Sequence, residues 1–428
     1  MSRVGTRLEL RVDAVAHGGW CVARHEDQVV FVRHALPGEL VQAQVTEETK
    51  RFLRADAVDV VEPSADRVTP PCPFAGPGKC GGCDWQHASL EGQRRLKGQV
   101  LTEQLRRIAG IERDVEVEEL PGASDGLGWR TRVRYAVAGD GTAGLRRHRS
   151  HEIEPVDECR IAHPEARRLN VPQLNWPGVA EVETVVSGST SDRAVVVTPR
   201  AAKLPRLPRL PVGASVLRRF RGGRTQQVQG RRGVREMAAG RQWRTSASSF
   251  WQVHPAAAET LAVAVRTATA PLPGETVLDL YCGVGLFAGV LGDEVGPQGR
   301  VLGVESHPAA VRDARHNLQD LPQVRIEQSD VPAKLREWND LRADLAVVDP
   351  PRTGLGDGVV AALAELRPSR IAYVSCDPAT LARDLGRFHE VGYRLGELRA
   401  FDAFPMTHHL ECVALLNRGG SASGDAAL

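Results

Sequence analysis

"VLDLYCGVG", residues 277–285, decides the fold of the second half of this 428-residue chain. It reads as a buried apolar strand that ends in a turn, where Gly283 and Gly285 let the backbone approach a ligand closely. Further strand-like runs follow, with helical stretches between several of them. Alternating strands and helices predict a doubly wound α/β sheet over residues 241–416. The later runs are "GRVLGVES", "QVRIEQSD", "ADLAVVDPPR", "RIAYVSCDP" and "HLECVALLNR".

Residues 1–62 have a different pattern. Five short β-rich runs are punctuated by "HGG", "HED" and "LPGE", which is typical of a small OB-like β-barrel. Such barrels commonly bind oligonucleotides, and Trp20 and Phe31 are candidates for base stacking. We interpret residues 63–240 as a central α+β domain that begins with a Pro- and Gly-rich loop. Residues 417–428 are small and polar, which predicts a disordered tail.

Composition narrows the class of protein. Hydrophobic residues make up 42% and charged residues 25%, as in a soluble globular protein. The formal charge of +2 is nearly balanced, although arginine-rich stretches can still meet phosphates locally. No apolar run is long enough to span a membrane, and "MSRVGTRLELRV" lacks the apolar region of a secretion signal. We therefore expect a cytoplasmic protein whose eight cysteines stay reduced.

Carboxylates follow several predicted strands. Glu305 ends the second strand of the sheet, where it can accept hydrogen bonds from both hydroxyls of a ribose. Asp330 follows the third strand, within reach of an adenine edge. Asp349, in "VVDPPR", follows the fourth and projects into the crevice where such sheets bind ligands, unless it merely caps a stiff surface turn. The shortened glycine pattern disfavours NAD without excluding it, and an acidic rim suits the sulfonium cation of S-adenosylmethionine.

Cys376 lies within "YVSCDPATLARDL", residues 373–385, where a fifth strand ends and a helix begins. Asp377 or Ser375 can cap that helix, and Pro378 suits an early helical position. A helix N-terminus and nearby arginines should lower the pKa of a thiol from its usual value of about 8.5 and so favour the thiolate. A buried, inert cysteine is the alternative, but the surrounding pocket motifs favour a nucleophile.

These motifs, with "SFWQVHP" and "HHLECVALL", resemble those of the S-adenosylmethionine-dependent RNA uracil-5-methyltransferases in order and rough spacing. The resemblance covers nearly the whole chain, and the N-terminal barrel resembles a TRAM domain. It implies that Cys376 is the nucleophile and Glu411 the general base. It further implies a cofactor or substrate site that is lined by Gln252, Tyr281, Glu305, Asp330 and Asp349.

The implied reaction explains why these residue types occur together. Addition of the Cys376 thiolate to C6 of uracil makes C5 nucleophilic enough to take the methyl group. Glu411 then removes the C5 proton, and elimination releases the thiol. A stacked uracil could not enter the crevice, so the target is flipped out or single-stranded. The expected partner is ribosomal or transfer RNA, with ribosomal RNA favoured, and the protein is expected to be a monomer.

Two other functions fit parts of the sequence. An N- or O-directed methyltransferase would use Asp349 without a covalent step. A non-enzymatic RNA-binding protein would retain the fold with a decayed pocket. Either would be free to lose the thiol and the base, so the presence of both Cys376 and Glu411 in their motifs disfavours these alternatives.

Four of the remaining cysteines form a metal-binding pattern. Cys72, Cys80 and Cys83 are spaced C-x7-C-x2-C, and Cys159 follows in "VDECRIAHP". Four thiolates suit zinc or an iron–sulfur cluster, and the spacing alone slightly favours zinc on base rates. Cluster-bearing members of the resembled family share a three-plus-one arrangement with "CGGC", which implies a [4Fe–4S] cluster. Cys21, Cys282 and Cys412 are expected to be ordinary buried thiols.

Overall fold

The computed structural model describes residues 3–338 and 340–419, and the first part of it is a closed β-barrel. Alternate residues such as Leu10 and Val12 point inward and are 1% exposed, because successive side chains of a strand face opposite sides. The predicted five-stranded barrel is confirmed. Its strands are β1 (Arg7–Ala16), β2 (Trp20–His25), β3 (Gln28–Arg33), β4 (Leu40–Glu48) and β5 (Phe52–Glu62).

The barrel meets the rest of the chain at Trp20, which is only 8% exposed. Its ring lies 5.9 Å from that of His148, and the guanidinium group of Arg149 lies 5.6 Å from the Trp20 ring centroid. The prediction that Trp20 stacks on RNA bases is therefore wrong, because other parts of the protein already cover the ring. Phe31 packs edge-on against Phe52, with 5.4 Å between ring centroids.

A helix and a short strand lead out of the barrel: α1 (Leu90–Gln104) and β6 (Val117–Glu119). The Ser89 hydroxyl accepts a hydrogen bond from the backbone N–H of Gly92 and caps α1, since the first N–H groups of a helix have no partner within it. After a π-helical turn the helix stops at Gly110, whose φ of 66° suits glycine. The predicted helix with a glycine stop is confirmed.

The central sheet has the strand order β13-β12-β11-β10-β7-β8-β9. A separate hairpin, β14 with β15, follows it and crosses the predicted boundary at residue 240. Ser246 at the end of this hairpin hydrogen-bonds to buried Asp313 of the following domain, which ties the two domains together. The elements are β7 (Arg132–Val137), β8 (Ala143–Arg146), β9 (Ile153–Pro155), α2 (Pro164–Arg167), β10 (Val179–Val186), β11 (Arg193–Pro199), β12 (Ser215–Arg219), β13 (Thr225–Gln229), β14 (Gly233–Ala238) and β15 (Arg241–Ser246).

The C-terminal domain is the predicted doubly wound sheet, with the strand order β18-β17-β16-β19-β20-β22-β21-β6. Strands β16 to β20 are parallel, and β22 runs antiparallel between β20 and β21. The elements are α3 (Ala257–Thr269), β16 (Thr276–Leu280), α4 (Leu286–Val295), β17 (Arg300–Glu305), α5 (Pro308–Asn317), β18 (Val324–Gln328), α6 (Val331–Glu337), β19 (Leu345–Val348), α7 (Val359–Glu365), β20 (Arg370–Ser375), α8 (Pro378–Glu390), β21 (Tyr393–Asp402) and β22 (Glu411–Arg418).

Two hydrophobic cores cover the two faces of this sheet. Helices α3, α4 and α5 pack on one face, and α1, α6, α7 and α8 pack on the other. Val277 of β16 belongs to the first core and Leu278 to the second, which is the alternation that a strand imposes. Burial on both faces explains why the parallel strands read as continuous apolar runs in the sequence.

Some boundaries differ from the prediction. The segment "SFWQVHPAAAETLAVAVRTAT" is a loop up to Ala256 and a helix only from Ala257, because Pro255 disfavours helical backbone at the residue before it. Although β6 lies in the segment predicted to be the central domain, it pairs with β21 of the C-terminal sheet. Strand β22 continues through Arg418, and residues 420–428 of the predicted disordered tail lie outside the described residues.

None of the helices within the described ranges is long and apolar enough to cross a lipid bilayer. The cytoplasmic location stays a prediction.

Candidate active site

The crevice at the carboxyl ends of β16 and β19 lies where the strand order of the sheet reverses, the usual ligand site of such folds. The backbone N–H of Asp349 donates to the carbonyl oxygen of Leu280 at 3.2 Å, so the two strand ends touch. Tyr281 has a φ of 65°, uncommon for a residue with a side chain and frequent at functional sites. A Cβ added to Gly283 would meet no atom within 4 Å, so open space remains beside that backbone.

Packing also requires glycine at position 285. Its φ of 94° is left-handed, and an added Cβ would lie 2.7 Å from the side chain of Leu318. The start of α4 can therefore pack this closely against the end of α5 only with glycine at this position.

Glu305 holds the glycine turn from the end of β17. One of its carboxylate oxygens accepts from the N–H of Gly283 at 3.1 Å, and the other accepts from the N–H of His307 at 2.6 Å. The predicted ribose-binding carboxylate thus lies directly beside the predicted cofactor loop.

Asp279 is a buried carboxyl of β16 that was not among the predicted site residues. It is 0% exposed, and one oxygen accepts from the N–H of Ala288 in α4 at 2.7 Å, while the other has no hydrogen-bond partner in the described part of the chain. Burial raises the pKa of Asp279 to about 8 and that of Asp349 to about 7. An acidic residue inside the apolar run "VLDLYC" was the signal that could have revealed it.

Asp330 and Gln252 lie outside the glycine turn, one at the start of α6 and the other before α3. Asp330 is exposed and caps α6, where its Oδ1 accepts from the N–H of Ala333 at 3.1 Å. Burial raises the pKa of Tyr281 to about 12, and the nearby charge of Asp330 adds to this shift. Gln252 is 7% exposed and lies in the loop that precedes α3.

Cys376 and Glu411 come together through the pairing of β20 with β22. Ser375 lies opposite Cys412 in this antiparallel ladder, so the next positions, Cys376 and Glu411, face each other at the strand ends. Cys376 is partly buried and Glu411 is 5% exposed. Asp349 and Arg352 are close enough to influence the pKa of both groups.

The protonation of this pair differs from the prediction. Burial raises the pKa of the Cys376 thiol to about 12, with a further contribution from the charge of Glu411, and Arg352 offsets only part of the rise. The expected thiolate-favouring environment is therefore wrong for the ligand-free protein. Burial, with a contribution from Asp349, also raises the pKa of Glu411 well above its usual range. The Cys376 thiol consequently keeps its proton near neutral pH, and the Glu411 carboxyl binds a proton more tightly than an exposed glutamate does.

Asp377 caps α8, as one of the two predicted alternatives had it. Its Oδ1 accepts from the N–H of Thr380 at 2.9 Å, and its Oδ2 lies 3.1 Å from Nε2 of His17 in the barrel. Although burial opposes the effect, these hydrogen bonds lower the pKa of Asp377 to about 2. Local sequence offered no signal for His17, because it is distant in the chain.

A second long-range contact fixes the loop that leads into Glu411. Asp84, which directly follows Cys83, lies 2.6 Å from Nδ1 of His408, and the N–H of Asp84 donates to the carbonyl oxygen of Met406 at 3.0 Å. The loop of the predicted metal ligands therefore contacts the loop that carries the predicted base.

The four predicted metal ligands line one cavity of about 790 Å³. Burial raises the pKa of Cys80 to about 11, and the charges of Cys159 and Cys72 add to this, so the thiols are near one another. The Cys83 thiol is shifted in the same direction by burial and by Cys159. Among the described residues, no three His, Cys, Asp or Glu side chains are placed to hold a single metal ion.

The remaining cysteines, Cys21, Cys282 and Cys412, are buried free thiols, as expected.

Comparisons with known proteins agree with this architecture. Residues 234–419 match the family model of tRNA (uracil-5-)-methyltransferase, and residues 1–58 match the TRAM domain. A protein named as an RNA methyltransferase in Streptomyces coelicolor is 53% identical over 97% of this chain and 94% of its own length. One in Streptomyces avermitilis is 52% identical over 96% of this chain and 98% of its own length.

A solved structure aligns over almost the entire chain. It is the tRNA (uracil-54, C5)-methyltransferase of Pyrococcus abyssi in complex with S-adenosyl-L-homocysteine. The TM-score is 0.72 at 25% identity, covering 95% of this chain and 99% of that one.

Proposed function

Since this chain belongs to the S-adenosylmethionine-dependent RNA uracil-5-methyltransferase family, we propose that it methylates C5 of a uridine in ribosomal or transfer RNA through a covalent bond from Cys376 to C6. The observation that carries this proposal is the facing pair of Cys376 and Glu411 at one edge of the crevice. A thiol and a carboxyl so placed can contact C6 and C5 of the same ring. An enzyme that works without a covalent step would have no use for the thiol there.

Cys376, Glu411 and Arg352 have different roles in the proposed reaction. Cys376 loses its proton to solvent and its sulfur forms a bond to C6, which displaces the C5–C6 π electrons toward C5 and O4 and makes C5 nucleophilic. S-Adenosylmethionine, when bound, supplies the methyl group as an electrophile on a sulfonium cation. Glu411 as a carboxylate takes the proton from C5, the Cys376–C6 bond breaks, and its electron pair returns to sulfur. Arg352 stabilises the negative charges that form, because it lowers the pKa of both groups.

The crevice has room for the cofactor and carboxyl groups beside it. The open space next to Gly283 leaves room for a ligand against the backbone, and Glu305 and Asp349 place carboxyl groups at the ends of neighbouring strands. A nearby cation favours the ionised form of a carboxyl group, so the sulfonium of the cofactor would oppose the rise in the pKa of Asp349. We assign the cofactor contacts to Gln252, Tyr281, Gly283, Gly285, Glu305, Asp330 and Asp349.

We also propose that Cys72, Cys80, Cys83 and Cys159 hold a [4Fe–4S] cluster. All four thiols line one cavity, which is what a four-cysteine cluster needs. Four thiols suit zinc as well, and the "CGGC" arrangement shared with cluster-bearing members of the resembled family is what favours the cluster. The proposed role is structural, because Asp84 joins this cysteine loop to His408 of the loop before Glu411.

Trapping with 5-fluorouridine-containing RNA tests the covalent step. Fluorine at C5 cannot leave as a proton, so the methylated adduct should accumulate and survive denaturing electrophoresis. Cys376→Ala should give no adduct and less than about a hundredth of wild-type turnover, since covalent activation has no substitute in this chemistry. Its cofactor affinity should be unchanged. Cys21→Ala, which removes a buried thiol of the barrel, is the matched control and should form the adduct.

Nucleoside mapping identifies the target. RNA from a strain that lacks the gene should lack one 5-methyluridine, and its position decides between ribosomal and transfer RNA. A strain with unchanged 5-methyluridine in both would contradict the proposed reaction.

A further inference from the structure

We propose that a cationic cleft between the central sheet and α5 binds the phosphodiester backbone of the RNA substrate. This inference rests on the proposed function and adds to it the place where the RNA strand runs. The β13–α5 cleft, as we name it, has a volume of about 800 Å³. Its wall includes Arg224, Arg232, Arg244, Ser248, His307 and Arg312.

The charge of the cleft has one sign. Four arginines line it, and no carboxylate is among the described residues of its wall. Arg244 is paired, because its Nε donates to the buried carboxylate of Asp313 at 3.1 Å. For Arg224, Arg232 and Arg312, the described part of the chain offers no hydrogen-bond or ion-pair partner to the side chain. Like charges that share a concave wall repel one another, and an anionic ligand would relieve this repulsion.

The surrounding residues suit a phosphate chain. The guanidinium group of Arg224 lies 4.6 Å from the ring centroid of Phe220, which restricts its motion. Hydroxyl and amide side chains, those of Thr225, Gln226 and Ser248, add hydrogen-bond donors without adding negative charge. Guanidinium groups bind phosphate oxygens through paired N–H donors, which makes arginine the preferred residue for such contacts.

The position of the cleft connects it to the active site. Ser248 lies four residues before Gln252 on the loop that precedes α3, and His307 follows the Glu305 carboxylate of the cofactor crevice, whose oxygen accepts its N–H at 2.6 Å. An RNA strand that places a uridine in the crevice can therefore continue its backbone along this wall. Phosphate contacts position a nucleic acid and do not choose its bases, so the cleft acts on RNA affinity and not on the chemical step.

Binding of the full-length protein to an oligouridylate of about 16 nucleotides, measured across salt concentrations, tests the proposal. Each lost phosphate contact should reduce the slope of log affinity against log salt by about 0.7. The slope should fall by about one such amount in Arg312→Gln. It should fall by about three such amounts in the triple variant Arg224→Gln/Arg232→Gln/Arg312→Gln. The triple variant should bind about one to two orders of magnitude more weakly at 0.15 M salt.

Matched variants distinguish the effect of where an arginine lies from the effect of its charge. Arg336→Gln removes an exposed arginine from α6, which packs on the opposite face of the same sheet, and should leave affinity and slope unchanged. Arg312→Lys keeps the charge and should retain most of the slope. Thermal unfolding and S-adenosyl-L-homocysteine affinity of every variant should match the wild type, which shows that the fold and the cofactor site are intact.

The outcomes are distinct. If the triple variant binds RNA with the affinity and the salt slope of the wild type, the cleft does not bind the RNA backbone. The same conclusion follows if the triple variant loses affinity for inorganic phosphate but keeps its affinity for RNA. If the wild type forms the 5-fluorouridine adduct in either case, the proposed function stands without the cleft. A wild type that binds RNA through the cleft but forms no adduct would leave the cleft standing and overturn the proposed reaction.

Discussion

His17 of the barrel lies 3.1 Å from Asp377, a contact that joins residues 360 positions apart in the chain. Asp377 directly follows Cys376 and caps α8, so this barrel histidine is in position to fix the backbone that carries the proposed nucleophile. We expect His17→Ala to lower kcat about tenfold, since small displacements of reacting groups are costly. Affinity for S-adenosyl-L-homocysteine should not change.

His17→Gln is the control for this contact, because its amide can still donate a hydrogen bond to Asp377. It should restore most of the lost kcat, as measured by steady-state methylation at saturating RNA. Equal kcat for wild type and His17→Ala would show that the barrel contact does not position Cys376.

Glu411→Gln should stop the reaction after methyl transfer. The carboxamide preserves the shape of the side chain but cannot accept the C5 proton, so elimination fails. We expect a methylated protein–RNA adduct with unmodified RNA, detected by denaturing electrophoresis and mass spectrometry. Normal turnover without an adduct would mean that another group removes the proton.

Activity should depend on pH in a definite direction. Burial raises the pKa of Cys376 to about 12, so the reactive thiolate is scarce at neutral pH and kcat/KM should rise as the pH increases above neutrality. Arg352 lowers the pKa of Cys376 and Glu411, so Arg352→Gln should move the rising limb to higher pH. A pH–rate profile of both proteins measures this shift. An unchanged profile would place Arg352 outside the charge balance of the site.

Loss of one cysteine of the proposed cluster should affect metal content and fold together. Cys80→Ser or Cys159→Ser removes one of four thiolates, and metal binding contributes to folding free energy. Anaerobically purified wild type should be brown with about four irons per chain, and the variants should hold less iron and unfold at a lower temperature. Colourless wild-type protein with one zinc would contradict the cluster.

The sequence predicted those parts of the site that depend on strand ends. Cys376 and Asp349 each follow an apolar run, and parallel strands bring such ends to one edge of the sheet. It did not predict the direction of the Cys376 pKa shift, because burial and the charge of Glu411 outweigh the lowering by Arg352. The sequence could also have predicted where α3 begins, since Pro255 disfavours helical backbone at the residue before it.

Contacts between distant segments account for the other differences. Nothing near Trp20 in the sequence indicates that His148 covers its ring, and nothing near His17 indicates Asp377. The pairing of β6 with β21 also joins remote parts of the chain. A pattern within one segment predicts the type of that segment, whereas its partners depend on the complete fold.

The pairing of β6 with β21 has a consequence for how the chain is made. During synthesis β6 leaves the ribosome before the entire central sheet, and its neighbour β21 emerges only near the end. Strand β6 therefore stays unpaired until translation is almost complete, and an unpaired strand invites association with other chains. A fragment that starts at residue 241 would leave residues 400–402 of β21 without this partner, and it would also lack α1, which packs on α8. Expression of the catalytic half alone should therefore yield aggregates, so this half cannot be exchanged between proteins as an autonomous module.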